Sequence, residues 1–240
     1  MAAPVHLSIV IPAYNEETRL PATLEELRGF LAGSPWTWEI RIVDDGSRDR
    51  TADVASDAAR SEPRIVVQRE PHRGKGGAVK AGMLTAPGAY RFLCDADLSM
   101  PVFELPRFLP PKMTDDIAIG TREGLGARRV GEPLVRHLAG RAFNLLVQSL
   151  AVSGIEDTQC GFKMFTARAA EVIFPRVSVD GWAFDIEVLW IARERGFTVA
   201  QIPIEWHYHR ESRLDLVRDG LGMLKDVLRI RARARRGEYK

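Results

Sequence analysis

Asp95 and Asp97 stand two residues apart in FLCDADLSMP, at the end of a run that reads as a buried strand. Two carboxylates this close repel each other unless the segment turns into water or a cation lies between them. If the chain stays extended to Asp97, alternation puts both side chains on one side, where they can meet one ligand. Mg2+ or Mn2+ suits such a pair, because these ions are held by one or two carboxylates while substrate phosphates and water complete the shell. The spacing is also common in solvated turns and helix caps, so the pair alone leaves both readings open.

Two other stretches carry related chemistry. RGKGGAVKAG places glycines and Lys75 at an expected helix start. It fits neither specific nucleotide pattern: a dinucleotide fingerprint needs a small residue where Val79 stands, and a Walker loop needs G-x-x-x-x-G-K. What remains is a helix start whose free N–H groups, together with Lys75, favour an anion such as a diphosphate; a plain glycine turn is the other reading. VDDGSRDRT has a similar double sense. Asp44 and Asp45 can make a turn before Gly46, and Asp49 with Thr51 can begin a helix. A carboxylate at a strand end is equally suited to accept hydrogen bonds from a base N–H or a ribose hydroxyl.

The elements that must position these residues alternate along the chain. LSIVIPA, WEIRIVDDGS, RIVVQRE and AYRFLCDADLS read as strands, with helical spacing of Leu20, Leu24, Leu27 and Leu31, then RTADVASDAARS and RGKGGAVKAGMLTA, between them. Pro21 falls near a helix start, where a missing N–H is harmless. This alternation predicts a parallel sheet with helices on both faces and functional residues at the carboxyl ends of its strands. In the second half DIAIGTR and FTVAQIPIEW read as strands, LAGRAFNLLVQSLAV and FDIEVLWIARERG as helices, the latter closed by Gly196, and REGLGARRVGEPLVR as a mobile basic loop.

A chain of 240 residues with 45% hydrophobic content and net charge +2 can build one sizeable core, and its charge balance gives no argument for nucleic acid. The basic tail lacks the interleaved aromatics of single-strand binders, so no nucleic-acid partner is expected. Cys94 and Cys160 have neither disulfide nor zinc spacing, which fits a reducing compartment. The N-terminal stretch lacks a signal peptide's basic region, and no run reaches the ~18 apolar residues of a spanning helix. A cytoplasmic protein is therefore expected.

In order, IPAYNEE, IVDDGSRDRT, RGKGGAV, DADLS, DTQCGFKMFT and WAFDIEVLWIA resemble the inverting family 2 glycosyltransferases, from about Leu7 to Trp206. RGKGG, DTQCGF and WAFD look most like the dolichyl-phosphate β-glucosyltransferase branch, near the dolichyl-phosphate mannose synthases. The resemblance implies an α/β GT-A fold, a mostly parallel central sheet flanked by helices, as a single domain over residues 1–210 with a C-terminal amphipathic basic helix over 211–240. It implies that Pro12, Tyr14 and Glu16 line the nucleotide-sugar, that Asp44 or Asp45 contacts the base, and that Lys75 and Asp95 lie on the donor. Asp95 and Asp97 match the metal and diphosphate site. Arg122 and Arg136 match arginines that hold the acceptor phosphate, with Arg128 and Arg129 in the loop between them. Asp157 faces the acceptor and is grouped with Asp97 as catalytic.

The implied reaction moves a hexose, with inversion, onto a polyprenyl (dolichyl-type) phosphate, and UDP-glucose is the favoured donor. GDP-mannose would use the same frame. An ionised phosphate acceptor needs arginines rather than a strong base, whereas a sugar-hydroxyl acceptor needs a carboxylate base such as Asp157. A catalytically silent binding module stands outside these enzyme readings. In the tail, Leu214, Val217, Leu221, Leu224 and Leu228 follow helical spacing and are followed by arginines. Such a helix can rest on the cytoplasmic face of a membrane as a peripheral anchor, or pack on the domain.

Overall fold

Four apolar, β-branched runs form the strands β1 (Leu7–Ala13), β2 (Trp38–Asp45), β3 (Ile65–Glu70) and β4 (Tyr90–Leu93), all mutually parallel. The structure is a computed structural model and describes residues 5–134, 137, 138, 140, 141, 144, 145, 148, 151–208 and 218–240, without the side chains of 218, 219 and 221. Helices α1 (Leu20–Ala32), α2 (Thr51–Ser61) and α3 (Lys75–Thr85) connect the strands, and Pro21 does lie in the first turn of α1.

The second half adds β5 (Ile117–Thr121), β6 (Arg128–Val130), β7 (Lys163–Thr166), β8 (Val199–Pro203) and β9 (Glu205–His207), with helices α4 (Ala167–Ile173), α5 (Phe184–Glu194) and α6 (Arg218–Arg235). The main sheet has the order β3-β2-β1-β4-β7-β5-β8, and β7 runs antiparallel to both neighbours. The sheet is thus mostly parallel, as expected, with one reversed strand that the sequence reading missed. A four-residue strand carrying a lysine gives little periodic signal. The basic stretch read as a mobile loop contains β6, which pairs with β9 in a small second sheet. The described positions from Leu134 to Gln148 are helical, and Gly196 closes α5 with φ 70°.

Both sheet faces are buried, which explains why the strands do not alternate in polarity. Ile9, Ile11, Ile40, Ile42, Phe92 and Met164 pack on one face under α1 and the 3-10 helix Val102–Phe108; Val10, Val43, Leu93, Ile119 and Phe165 pack on the other under α3, α4 and α5.

The crevice comes from unequal strand lengths. β1 pairs with β2 as far as Ala13↔Asp44, but with β4 only as far as Val10↔Leu93, where the Cys94 N–H closes on the Val10 carbonyl. Backbone groups of residues 10 and 12 point to the same side. The N–H that Pro12 lacks would therefore face the gap above β4, so a proline is tolerated in this central strand. Beyond Leu93 the chain leaves strand geometry: Ala96 and Asp97 form a turn, Leu98 has φ 44°, and its N–H donates to the Asp95 carbonyl. The condition that the chain stay extended to Asp97 is not met, because the pairing of β4 ends at Leu93.

The C-terminal helix packs on the domain. Met223, Val227 and Ile230 of α6, and Tyr239 beyond it, are buried in the core beside α5. Of the expected stripe, Leu214 and Val217 lie outside the described residues, Leu224 is half-buried and Leu228 is exposed. The boundary expected at 210–211 also lies outside them. Fully buried Glu187 anchors the end of the chain: its carboxylate accepts from Ser178 N (2.7 Å), Val179 N (2.8 Å), Tyr239 Oη (2.6 Å) and Arg233 Nη1 (2.9 Å). Glu187→Ala strands these donors and is expected to cost on the order of 3 kcal/mol, read as a lowered urea midpoint. An unchanged midpoint would show that the tail is not anchored there.

Candidate active site

The carboxyl ends of β1, β2 and β4 bring together residues from four loops. The β1–α1 and β2–α2 loops are stitched to each other: Asn15 N donates to Ser47 Oγ (2.9 Å), Arg48 N to Asn15 Oδ1 (2.8 Å) and Glu16 N to Thr51 Oγ1 (2.6 Å). Asp49 accepts from Thr51 N at 2.9 Å, in line with the helix-start reading of this stretch. The Glu16 carboxylate takes Arg19 in two bonds of 2.6 and 2.8 Å, and the Tyr14 ring stacks on His72 at 4.1 Å.

Strand alternation separates Asp44 from Asp45. Asp45 turns toward the start of α3 and is consumed there, accepting from Arg73 N (2.9 Å) and Gly74 N (3.0 Å) and contacting His72 Nδ1 at 2.8 Å. Asp44 turns to the opposite face and accepts from Ser47 N at 3.2 Å. Of the two, Asp44 keeps more acceptor capacity for a base or ribose.

The glycines of RGKGG serve packing. The N–H groups of Gly76 and Gly77 donate to the Asp180 carbonyl at 2.7 and 3.3 Å. A Cβ on Gly76 would come within 2.4 Å of the Val179 carbonyl oxygen. The expected free N–H cradle for a diphosphate is therefore corrected: close approach of the 179–181 segment uses these donors. Lys75 is what this helix start offers an anion.

Lys75 Nζ lies 2.6 Å from Asp95 Oδ1 and 5.4 Å from the centre of the Trp182 ring. Burial opposes its charge, but Asp95, Asp185 and Asp97 outweigh burial and hold its pKa above the ordinary lysine value. Behind it, Asp185 Oδ1 bonds Lys163 Nζ at 2.6 Å; burial raises the Asp185 pKa despite this partner. Asp95 is wedged from the other side by Gly161, where a Cβ would sit 1.8 Å from Asp95 Oδ2. Asp97 Oδ1 accepts from Ser99 N at 3.2 Å.

The donor set fits a hard divalent cation. Asp95 and Asp97 supply carboxylate oxygens on one turn, and no group of three or more His, Cys, Asp or Glu that could hold a metal occurs among the described residues. A two-carboxylate site that leaves positions for substrate phosphates is what Mg2+ or Mn2+ accepts. Burial pushes the Cys94 thiol well up and the Cys160 thiol to about 11, so neither is a thiolate nucleophile near neutral pH.

At the carboxyl end of β5, on the same edge of the sheet, Arg122 grips Asp157 with Nε–Oδ2 at 2.7 Å and Nη2–Oδ1 at 2.8 Å, and its backbone N–H adds a third bond of 3.0 Å. Burial raises the Asp157 pKa, but Arg122 more than reverses this and brings it to about 2. The indole of Trp206 lies under both Arg122 (5.2 Å) and Arg129 (5.9 Å). Arg129 is engaged at all three guanidinium nitrogens, by Glu123, Glu132 and the Arg122 carbonyl, so it braces the loop. Arg128 is exposed and pairs with Glu205 at 3.2 Å, while Arg136 lies outside the described residues.

The sequence reading missed Gly161, Lys163, Trp182, Asp185 and Trp206 as individuals, though each falls within or beside a motif it used. A lysine inside the apolar GFKMF was the one legible signal, because a charge in a buried strand requires a partner.

Carboxylates compatible with a divalent cation stand beside a lysine at the carboxyl edge of the sheet, with arginines at the end of β5, an arrangement chemically suited to phosphate-bearing ligands. Residues 8–174 match Glycosyl transferase family 2, and the chain belongs to that family. It is 35% identical over 254 residues to the dolichyl-phosphate beta-glucosyltransferase of Dictyostelium discoideum, covering 98% of this chain and 77% of the relative. The human protein of the same name is 36% identical with the same coverages. Glucosyl-3-phosphoglycerate synthase from Mycobacterium tuberculosis, solved with uridine diphosphate, superposes with TM-score 0.68 at 19% identity, covering 94% of this chain and 80% of that one. The same enzyme solved with Mn2+ and UDP-glucose superposes at 0.65 and 18% identity, with coverages of 93% and 79%. The fold is the GT-A fold and the protein is a glycosyltransferase.

Gly161→Ala is expected to displace Asp95 and lower turnover by at least ~100-fold, as losing a charge-stabilising contact does, with a smaller loss of thermal stability. Wild-type turnover in that variant would show that Asp95 need not hold this position.

Proposed function

We propose that the protein transfers glucose, with inversion, from UDP-glucose to the phosphate of a polyprenyl (dolichyl-type) phosphate. The observation that carries this reading is the Arg122–Asp157 clamp. A carboxylate doubly bonded to a guanidinium and held near pKa 2 is a poor proton acceptor at neutral pH, which argues against an acceptor hydroxyl that must be deprotonated. A phosphate acceptor arrives ionised and needs cationic positioning instead. The names of the relatives agree with this.

In this reading, Pro12, Tyr14, Glu16 and Asp44 line the nucleotide, and Asp45 fixes the loop beneath it. Asp95 and Asp97 would hold Mg2+ or Mn2+, which supplies charge stabilisation to the leaving diphosphate. Lys75 adds a second positive charge there. Arg122, steadied by Trp206 and Asp157, orients the acceptor oxygen for attack at C1 from the opposite face. Arg136 joins it in the acceptor grip, on the strength of resemblance.

The test is incubation with polyprenyl phosphate, a divalent cation and a panel of UDP- and GDP-sugars. A glucosyl-phosphoryl lipid formed from UDP-glucose is expected; a mannosyl lipid would reassign the donor, and transfer to a soluble acceptor alone would reject the lipid. An acceptor phosphate whose second ionisation lies near pH ~6 should give turnover an acid limb there. Asp157→Asn should lower turnover while leaving that limb in place, because the native carboxylate is already ionised down to about pH 2. Disappearance of the limb would restore Asp157 as a base.

Membrane contact is proposed at the acceptor side. Among the described residues no helix is long and apolar enough to cross a membrane. Leu125 is 99% exposed, and Leu134 (78%), Leu138 (65%) and Leu145 (58%) share one helical face by their spacing. They lie in the segment that follows Arg122, with exposed Arg128 and Arg141 nearby in sequence, a composition suited to an anionic bilayer interface. The packing of α6 supports this placement over the tail. Leu134→Glu with Leu138→Glu should weaken vesicle sedimentation by about tenfold or more and slow transfer to long polyprenyl phosphates more than to a short analogue. Unchanged sedimentation would return the contact to the tail or elsewhere.

A further inference from the structure

The cation bonded to Asp95 in the protein alone is Lys75, and the geometry around it is restrictive. Gly161 abuts one side of the Asp95 carboxylate, where a Cβ would sit 1.8 Å from Oδ2, so the carboxylate is blocked in that direction. Lys75 begins α3, and the backbone on its far side is pinned by Gly76 and Gly77 to the Asp180 carbonyl. Its ammonium has the Trp182 face 5.4 Å away, and the Asp185 carboxylate, which Lys163 holds at 2.6 Å, adds negative charge nearby. With one side of the carboxylate blocked and a flexible four-carbon stem on the lysine, the cation is the partner that yields.

We propose that Lys75 is the resident counter-ion of the Asp95–Asp97 pair: it occupies Asp95 when no divalent ion is present, opposes binding of the bare ion, and releases Asp95 when a diphosphate offers its ammonium another anion. The proposal rests on the reading of Asp95 and Asp97 as the metal site. An ammonium 2.6 Å from Asp95 Oδ1 and a divalent cation on the same carboxylate repel each other strongly. Bare metal must therefore displace a paired lysine whose described neighbours beyond the metal-site carboxylates include the Trp182 face and an already paired Asp185. A nucleoside diphosphate removes that penalty, because the displaced ammonium can bond its phosphate oxygens. Metal and nucleotide then bind with positive coupling, and linkage requires the coupling to act in both directions. Asp185 and Lys163 are positioning residues in this arrangement: they keep negative potential behind Lys75 without freeing a carboxylate that could capture it.

The test is Mn2+ binding to the purified full chain, followed by the free-ion electron paramagnetic resonance signal, without substrate turnover. Wild type should bind bare Mn2+ weakly, with UDP strengthening binding by a factor within the ~5–150-fold range typical of coupled sites. Lys75→Gln and Lys75→Met should bind bare Mn2+ about tenfold or more tightly than wild type and lose most of the UDP-dependent gain. Lys75→Arg, which keeps the charge, should remain weak. Thermal melts with and without Mn2+ give a second readout in which the neutral variants gain more stabilisation from bare metal than wild type does, and they verify that each variant is folded. Neutral variants that bind bare Mn2+ no more tightly than wild type overturn the counter-ion role. Asp97→Asn decides the underlying reading separately: if it leaves Mn2+ binding intact, the metal site itself is misassigned.

Discussion

The buried pair of Lys163 and Asp185 is the constraint around which the second half of the fold is arranged. A fully buried lysine on a central strand is untenable without a carboxylate within bonding distance. Satisfying it fixes α5 against β7, and β7 is the reversed strand that joins the parallel β1–β4 half to β5 and β8. The same lysine also donates to the Cys160 carbonyl, which tethers the segment whose next residue, Gly161, abuts Asp95. One ion pair thus sets both the join between the halves and the back wall of the metal-compatible turn.

The crevice is electrostatically self-compensated before any substrate enters. Lys75 faces Asp95, Arg122 faces Asp157, and Arg129 faces Glu123 and Glu132. In the first two pairs a residue proposed to meet a phosphate or a metal is joined to one that keeps it charged and oriented meanwhile, while Arg129 braces its loop. Ligand binding on such a surface is an exchange of partners. The displaced internal partner must be accommodated, and this favours ligands that bring both charge signs at once, as a metal–nucleotide complex does.

Much of the fold was legible in the sequence, because the first four strands and three helices follow the plain rule of apolar runs alternating with helical spacing. The crevice location followed from strand ends, where Asp44, Asp45, Asp95 and Asp97 do gather. What escaped were features decided by tertiary contact. β7 is four residues long and takes its identity from neighbours on both sides. The role of the RGKGG glycines is decided by the 179–181 segment, more than a hundred positions away, and the choice between Asp44 and Asp45 by which face of β2 carries the α3 loop. The tail's buried face, Met223, Val227 and Ile230, is offset from the leucine stripe because packing selected the side nearest Glu187. A helical stripe by itself does not reveal which surface it meets.

The step between β1 and β4 works as a ruler. β1 continues three residues past the last β1–β4 pair, from Val10 to Ala13, and at strand rise that stagger is about 10 Å of depth. Depth made this way changes only in whole residues, and each added residue also turns the following side chains to the opposite face. Lengthening β4 by one position would make the trough shallower and at the same time turn Asp95 away from it. The reach of the crevice and the orientation of its carboxylates are therefore inherited together, and a lineage adapting to a bulkier donor would have to reshape the surrounding loops while leaving the strand lengths alone.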